Sequence, residues 1–595
     1  MESVRWLTPA KASSALVGAD HRLLRRWPVR AILSAALAIA AASTGQVQAQ
    51  ALSAAQEALK AQFKQIDEGF RVFKNETFEG NGRTCATCHI PSEAYNIFPA
   101  TIKELSKKEK DVLLVTSVPG LENPELVKQR ALFNISGGNL SDARATHLFG
   151  TAGGPIFRST MAIAGLAVTT VNTAGEGTPL LPPACSVGVA AGLPQLGWAG
   201  DGSPGTPNGT VDSQCRTHHG NIDANADGSI RAFANGAIAQ HAPASLKRIA
   251  KTTACPTLSV DKPNAKCNQP YDFRFASNAE LDALDAFQKW LGRRALSAEE
   301  LTANPGIGDA AFDNSEIVLT KLAFADARIN LGRDHFIGPA EIAPGPVNPN
   351  FGAGCTGCHV NAGAKFVNAP LPAARQNINI NSRVELGSPA VGIAVVGVAL
   401  PHDEGAFDTL LNTPPLEGFN IQSAIEGARK KAWFHNHRVV DDFEQSIAFY
   451  GTNDFISGAV ARTTLAGLQN GNNGGGTTAF KFPAGDGIQH IGAFLRTLSA
   501  YYGVRDCERL LNEAIARIGV GAQENLPVKH CRFNLADVSR VLKESKLSPL
   551  PYKDVAEQAR AIRAKLPEEK CTVAGLQSIL TELAALKKAI ATINL

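Results

Sequence analysis

Methionine is almost missing from this chain. Its 595 residues hold two, Met1 and Met161. Nothing beyond residue 161 can therefore offer a thioether sulfur to a metal. Long apolar runs are also missing. The run at residues 31–42 has 12 residues, where a spanning helix needs about 20. A net charge of one sign is lacking too. Residues 1–49 carry six Lys/Arg and two Asp/Glu, which accounts for the whole net charge of +4. The remainder is near neutral, which argues against nucleic-acid binding and against a polybasic membrane surface. Several enzyme signatures are absent: no Gly-x-Ser-x-Gly, no Walker loop, no Rossmann fingerprint and no His-Glu-x-x-His.

What is present is more specific. Two Cys-x-x-Cys-His pentads stand at Cys85-Ala86-Thr87-Cys88-His89 and Cys355-Thr356-Gly357-Cys358-His359. This is the spacing of c-type haem attachment. Two thiols on one helical turn add to the two haem vinyl groups, and the next histidine turns its imidazole to the iron. A single pentad could be half of a zinc site. Two of them in an exported chain predict two covalently bound haem c groups and a redox function. The scarcity of methionine then acquires a meaning. No Met follows Cys358, so the second haem takes no Met ligand from its own part of the chain.

Export is predicted from residues 1–49, read as a signal peptide. Arg22, Arg25, Arg26 and Arg30 form a basic region, residues 31–42 an apolar one, and Val47-Gln48-Ala49 supplies small residues for cleavage. The alternative, an uncleaved anchor, is disfavoured by the short apolar run. The expected location is the periplasm, with the mature chain not integral to a membrane. Four of eleven cysteines belong to the pentads, leaving seven. In an oxidising compartment most of these should pair. Proximity suggests Cys255 with Cys267 and Cys185 with Cys215, with one thiol left over.

The chain repeats itself once. Gly69 and Phe73 precede the first pentad as Gly-x-x-x-Phe, on a helical stretch starting near Ser53, and Gly332 and Phe336 precede the second. Each pair puts a small residue and an aromatic on one helix face, which lets a later helix cross closely. Candidates for the crossing helices are residues 280–291 and 488–502, both with helical apolar spacing. The expected class is mostly α: two cytochrome c-like haem domains with long loops, plus a helical C-terminal extension. The boundaries read as 53–306, 307–504 and 505–595. The extension contains no motif that can be assigned to chemistry.

The strings ETFEGNGRTCATCH at 76–89, LGWAGDG at 196–202, SIRAFANGAIAQH at 229–241, NTPPL at 412–416 and AWFHNH at 432–437 resemble the bacterial dihaem cytochrome c peroxidase superfamily. That superfamily includes the methylamine-utilisation dihaem enzyme and the dihaem rubber oxygenases. The resemblance covers nearly all of residues 53–504. It implies a reactive N-terminal haem, a relaying C-terminal haem, and a small donor protein, a cytochrome or a cupredoxin. It also implies a tryptophan between the haems, matched here by Trp198, although Trp-Ala-Gly-Asp-Gly departs slightly from the family's Trp-Asp-Gly.

Family members commonly close the first haem with a histidine soon after the pentad. Here none follows His89 until His147, so an open iron face that admits peroxide or O2 is expected. His241 is the candidate distal acid–base group. The alternative is a packed histidine bonded to backbone, and His147, His218 and His219 are weaker candidates. Tyr450 matches the position where the methylamine-type enzyme offers a tyrosine ligand. It competes with His435 for the sixth position at the second haem, with His437 and His490 behind them. Asp223, Asn225 and Asp227 before Gly228 resemble half of a Ca2+ loop. The twelfth position is Ala234 where Glu is needed, so an Asx-rich turn competes with Ca2+ binding. The expected activity is peroxide reduction at the His89 haem. O2-dependent oxidation of an organic substrate is the runner-up, and a plain electron carrier is a third reading.

Overall fold

The structure is a computed structural model. It describes residues 52–134, 157–160, 162–166, 210–211, 217–218, 230–251, 271–292, 319, 322–338, 355, 359, 362, 424–434, 437–452, 482, 485–568 and 570–593. These residues are mostly helical, as expected. In chain order the helices are α1 (Ala54–Asn75), α2 (Cys85–Cys88), α3 (Pro99–Glu104), α4 (Lys107–Leu114), α5 (Pro124–Arg130), α6 (Ile230–His241), α7 (Asn278–Trp290), α8 (Ala327–Ile337), α9 (Phe443–Phe449), α10 (Gly487–Gly519), α11 (Asn525–Lys543), α12 (Lys553–Lys565) and α13 (Val573–Ile590). Four short antiparallel strand pairs accompany them.

Local chemistry sets the helix starts. Ser53 caps α1 and Ser277 caps α7. Each hydroxyl accepts from the third backbone amide, while Gln56 and Glu280 respectively reach back to the cap residue. The helix expected from near Ser53 and the one expected over 280–291 therefore lie where their signals put them. The third expectation, 488–502, is too short. α10 runs 33 residues, and the boundary drawn near residue 504 falls inside it. The helix continues because no proline interrupts it, and its buried residues run from Gly487 through Arg517.

The two Gly-x-x-x-Phe crossings exist. α1 packs on α7, and α8 packs on the first half of α10. A Cβ on Gly69 would run into the Ala283 carbonyl and lie 2.6 Å from Phe287 Cβ. A Cβ on Gly332 would run into the His490 carbonyl and lie 3.0 Å from Phe494 Cβ. Only glycine allows backbones this close. Beside each glycine the aromatics meet in the same way. Phe73 and Phe287 have ring centroids 5.3 Å apart, and Phe336 and Phe494 5.6 Å.

One apolar core runs through both crossings and the C-terminal helices, from Ile66 to Ala591. α10 is its spine. Its first half holds α8, while its second half holds α1 through a buried ion pair. Arg517 bonds Asp67 at 2.8 Å and Glu513 at 2.8 Å, and its guanidinium lies over the Phe63 ring. A disulfide, Cys507–Cys531, ties α10 to α11. It is a pairing that sequence proximity did not single out. Cys185, Cys215, Cys255 and Cys267 lie outside the described residues. The last strand, Ala591–Ile593, returns to pair with Leu322–Phe324 just before α8. Among the described residues no helix is long and apolar enough to cross a membrane.

Candidate functional site

The first pentad forms one helical turn, α2. Thr84 and Thr87 cap it reciprocally, and the His89 amide donates to the Cys85 carbonyl at 2.9 Å. The second pentad closes in the same way, with the His359 amide on the Cys355 carbonyl at 2.7 Å. Each histidine ring lies beside its repeat phenylalanine. His89 is 6.2 Å from Phe73 and His359 is 6.4 Å from Phe336. The local geometry of helix crossing, aromatic pair and pentad histidine is thus duplicated in the chain.

His89 is buried, and its Nδ1 lies 2.9 Å from the Tyr95 carbonyl oxygen. A carbonyl only accepts, so Nδ1 carries the proton and Nε2 keeps its lone pair, the form a metal needs. Burial pushes the His89 pKa down to about 4, which keeps the ring neutral. Cys85 packs against the main core, and Cys88 against a smaller cluster that includes Ile97, Ile102 and Leu113. Burial raises both thiols to about 12. The turn therefore sits between two apolar surfaces.

Polar groups gather on one side of it. Arg83 and Glu122 form a buried ion pair at 2.7 Å. Arg83 Nη2 also donates to the Leu113 carbonyl, while its buried Nε has no partner. Glu122 accepts the Asn134 amide at 2.8 Å through its other oxygen, and burial raises its pKa. Arg248 adds a second partly desolvated cation, with its pKa lowered to about 10.

His241, at the end of α6, joins this group. Its Nδ1 lies 4.0 Å from Glu122, and its side chain is 29% exposed. Burial first, then Arg83, Arg248 and His89, drive its pKa down to about 3. Asn81 holds the α6 terminus in place, donating to the His241 and Pro243 carbonyls at 2.8 and 3.0 Å. Two strings separated by about 150 residues, 76–89 and 229–241, thus form one site. His241, the residue expected to act as the distal group, lies in this cluster beside Glu122.

These residues fit a c-type haem. The fit rests on the His89 tautomer, the apolar surfaces around the pentad turn, and the unpartnered Arg83 Nε, which suits a carboxylate. A completed zinc site is not seen: among the described residues no three His, Cys, Asp or Glu side chains converge.

The candidates for the second haem are scattered. His435, Cys358 and Trp198 lie outside the described residues, as do His147, His219 and the loop at 223–229. Tyr450 caps α9, with its ring 6.2 Å from Phe434. His437 is buried against the N-terminal part of the chain. Its Nδ1 lies 2.7 Å from the Arg130 carbonyl, and its ring is 6.2 Å from Phe98. His490 faces His335 at 6.0 Å.

Sequence reasoning missed Arg83, Glu122, Tyr95 and His530. Arg83 precedes the pentad by two residues and Tyr95 follows it by six, so proximity offered a signal for both. His530 gave none. It lies on α11, in the part of the chain read as lacking chemistry, yet it bonds the Tyr95 hydroxyl. No protein-family model matches this chain, and no curated protein or solved structure matches it significantly.

Proposed function

We propose that this chain is a periplasmic dihaem c-type oxidoreductase. In this reading residues 1–49 direct export, residues 53–306 carry the reactive haem and residues 307–504 the relaying haem. Residues 505–595 form the helical brace. The reaction is peroxide reduction at the His89 haem, with electrons arriving through the His359 haem from a small cytochrome or cupredoxin. The observation that carries this is the duplication: the same glycine crossing and phenylalanine pair stand beside both pentad histidines.

Haem c, when bound, supplies the iron at which an oxidant is reduced. The chain's own residues then have defined tasks. Cys85 and Cys88 would fix the ring, and His89 Nε2 would hold the iron, with Nδ1 oriented by the Tyr95 carbonyl. Arg83, through its unpartnered Nε, and Arg248 would supply positive charge for the carboxylates of the haem. Burial first, and the two cations after it, keep His241 neutral, the form that can accept a proton. His241 then holds and returns a proton beside Glu122. Cys355, Cys358 and His359 would attach the second haem, with Tyr450 or His435 as its sixth ligand.

Oxidation of an organic substrate by O2 is the second reading. The absence of a histidine between His89 and His147 favours it. EPR and optical spectra of the purified protein, with and without peroxide and O2, separate the readings. Peroxide reduction predicts a five-coordinate or exchangeable first haem and turnover with peroxide. A stable oxy-ferrous spectrum with negligible peroxide turnover selects the oxygenase. Low-spin, doubly ligated iron at both sites in every redox state excludes both.

A further inference from the structure

Tyr95 and His530 form a buried pair that the haem chemistry above does not use. They are 435 residues apart in sequence, and 4% and 5% exposed. His530 Nδ1 lies 2.9 Å from the Leu526 carbonyl one turn earlier on α11. Its proton therefore sits on Nδ1, and Nε2 is an acceptor. The Tyr95 hydroxyl donates to that Nε2, and the two rings stack with an 8° interplanar angle. Tyr95 is also joined to the first haem ligand. Its carbonyl holds His89 Nδ1, and Phe73 touches both rings, at 5.8 and 6.2 Å.

We propose that Tyr95 is a redox-active tyrosine with His530 as its proton acceptor, coupled to the His89 site. The electron passes to a one-electron oxidant, the haem at His89 after reaction with peroxide. The phenolic O–H bond breaks, and its proton bonds to His530 Nε2. A neutral tyrosyl radical and an imidazolium result. Re-reduction by the donor's electron returns the proton to the phenol. This rests on the haem reading of His89.

The physical reason lies in charge. Oxidising a phenol without moving its proton leaves a cation in a low-dielectric interior, which is costly. A neutral imidazole already bonded to the hydroxyl takes that proton directly, so the charge leaves the strongly acidic phenol radical cation for the more basic ring. Burial keeps both partners in the required forms, with the phenol raised well above its ordinary pKa and His530 lowered to about 4. Trp290 is the nearby rival, with its ring 4.7 Å from His530. The Arg509 guanidinium lies 5.5 Å over the Trp290 ring and opposes a cation there. The indole N–H donates to Glu513, which Arg517 and Arg509 already engage. The structure thus favours Tyr95 as the site of the hole. The helix that carries His530 is held to α10 by Cys507–Cys531, one residue from His530.

The test uses full-length holoprotein with both haems ferric. One sample is mixed with hydrogen peroxide and freeze-quenched. A second is oxidised by a photogenerated Ru(III) complex, which does not depend on peroxide reactivity. Both are read by EPR. The expected result is an organic radical whose hyperfine pattern collapses in protein grown with ring-deuterated tyrosine. In protein labelled with 15N-histidine it gains a changed nitrogen coupling through the hydrogen bond. Tyr95→Phe removes the signal, and His530→Phe lowers its yield by roughly tenfold, the loss of about 1.4 kcal/mol of driving force. A radical with Ru(III) but not with peroxide supports Tyr95 and counts against the peroxide reading. No tyrosyl radical by either route overturns the proposal. So does a signal that persists in Tyr95→Phe, one lost in Trp290→Phe alone, or wild-type protein without histidine nitrogen coupling.

Discussion

Replacing Gly69 by alanine tests the helix crossing that sets the first haem site. The added methyl would lie 2.6 Å from Phe287 Cβ, and contact there becomes ordinary at 3.4 Å. The α1–α7 distance must therefore open by about 0.8 Å on this contact alone, and further to clear the Ala283 carbonyl, which is backbone and cannot rotate away. Overpacking of this kind costs roughly 1–3 kcal/mol. Opening the crossing also loosens Phe73 and Phe287, both essentially inaccessible to solvent. Against this stands the helix-propensity gain of alanine over glycine, about 1 kcal/mol. The expected net loss is about 0–2 kcal/mol. Gly332→Ala should behave alike, because its methyl meets Phe494 Cβ at 3.0 Å and the His490 carbonyl. A methyl added at Gly519 would have nothing within 4 Å of it, so Gly519→Ala should be neutral or stabilise by at most about 1 kcal/mol. Urea unfolding of the three variants, followed by far-UV dichroism, gives the ordering. Haem spectra add locality: Gly69→Ala should broaden the first haem's signature and Gly332→Ala the second's. If Gly69→Ala and Gly332→Ala unfold no more easily than Gly519→Ala, the close-crossing argument is wrong.

Three further outcomes follow from the packing. Removing the Cys507–Cys531 link, which closes a separation of 24 residues, should cost about 3 kcal/mol through loop entropy, read as a lower urea midpoint for the double alanine variant. Glu122→Ala leaves Arg83 buried without its partner and should cost about 3–5 kcal/mol, whereas a loss below about 1 kcal/mol would show that water reaches the site. His530 is held near 4 when folded, against 6.5 unfolded, so the unfolded chain binds more protons between those values and stability falls as pH drops through that window. The loss is on the order of 3 kcal/mol, and a pH series of unfolding midpoints should flatten by about that amount in His530→Gln.

The legible parts of the sequence were those with local signals. The first helix was readable from near Ser53 and the one over 280–291 from its apolar spacing, and the structure puts Ser53 and Ser277 at their caps. Gly69 and Gly332 announced close crossings because only a missing Cβ permits them. His241 could be placed near the first pentad through the strings at 76–89 and 229–241. The illegible parts depend on tertiary closure. The extent of α10 was hidden because its apolar pattern continues into a segment whose partners, Asp67 and Phe63, are some 450 residues away. His530 looked like one polar residue on an amphipathic helix. Only folding brings it to Tyr95. Cys507 and Cys531 carried no spacing motif, and their pairing required α10 and α11 to lie side by side.

The central claim is that each pentad carries one covalent haem. Intact-mass spectrometry of the protein from a host that matures c-type cytochromes, together with a pyridine haemochrome assay, tests it most directly. The account predicts the mass of the processed polypeptide plus two haem groups, falling by one group in Cys85→Ala/Cys88→Ala and by one in Cys355→Ala/Cys358→Ala. A protein that matures fully yet carries no covalent haem, or keeps two after either double substitution, contradicts it.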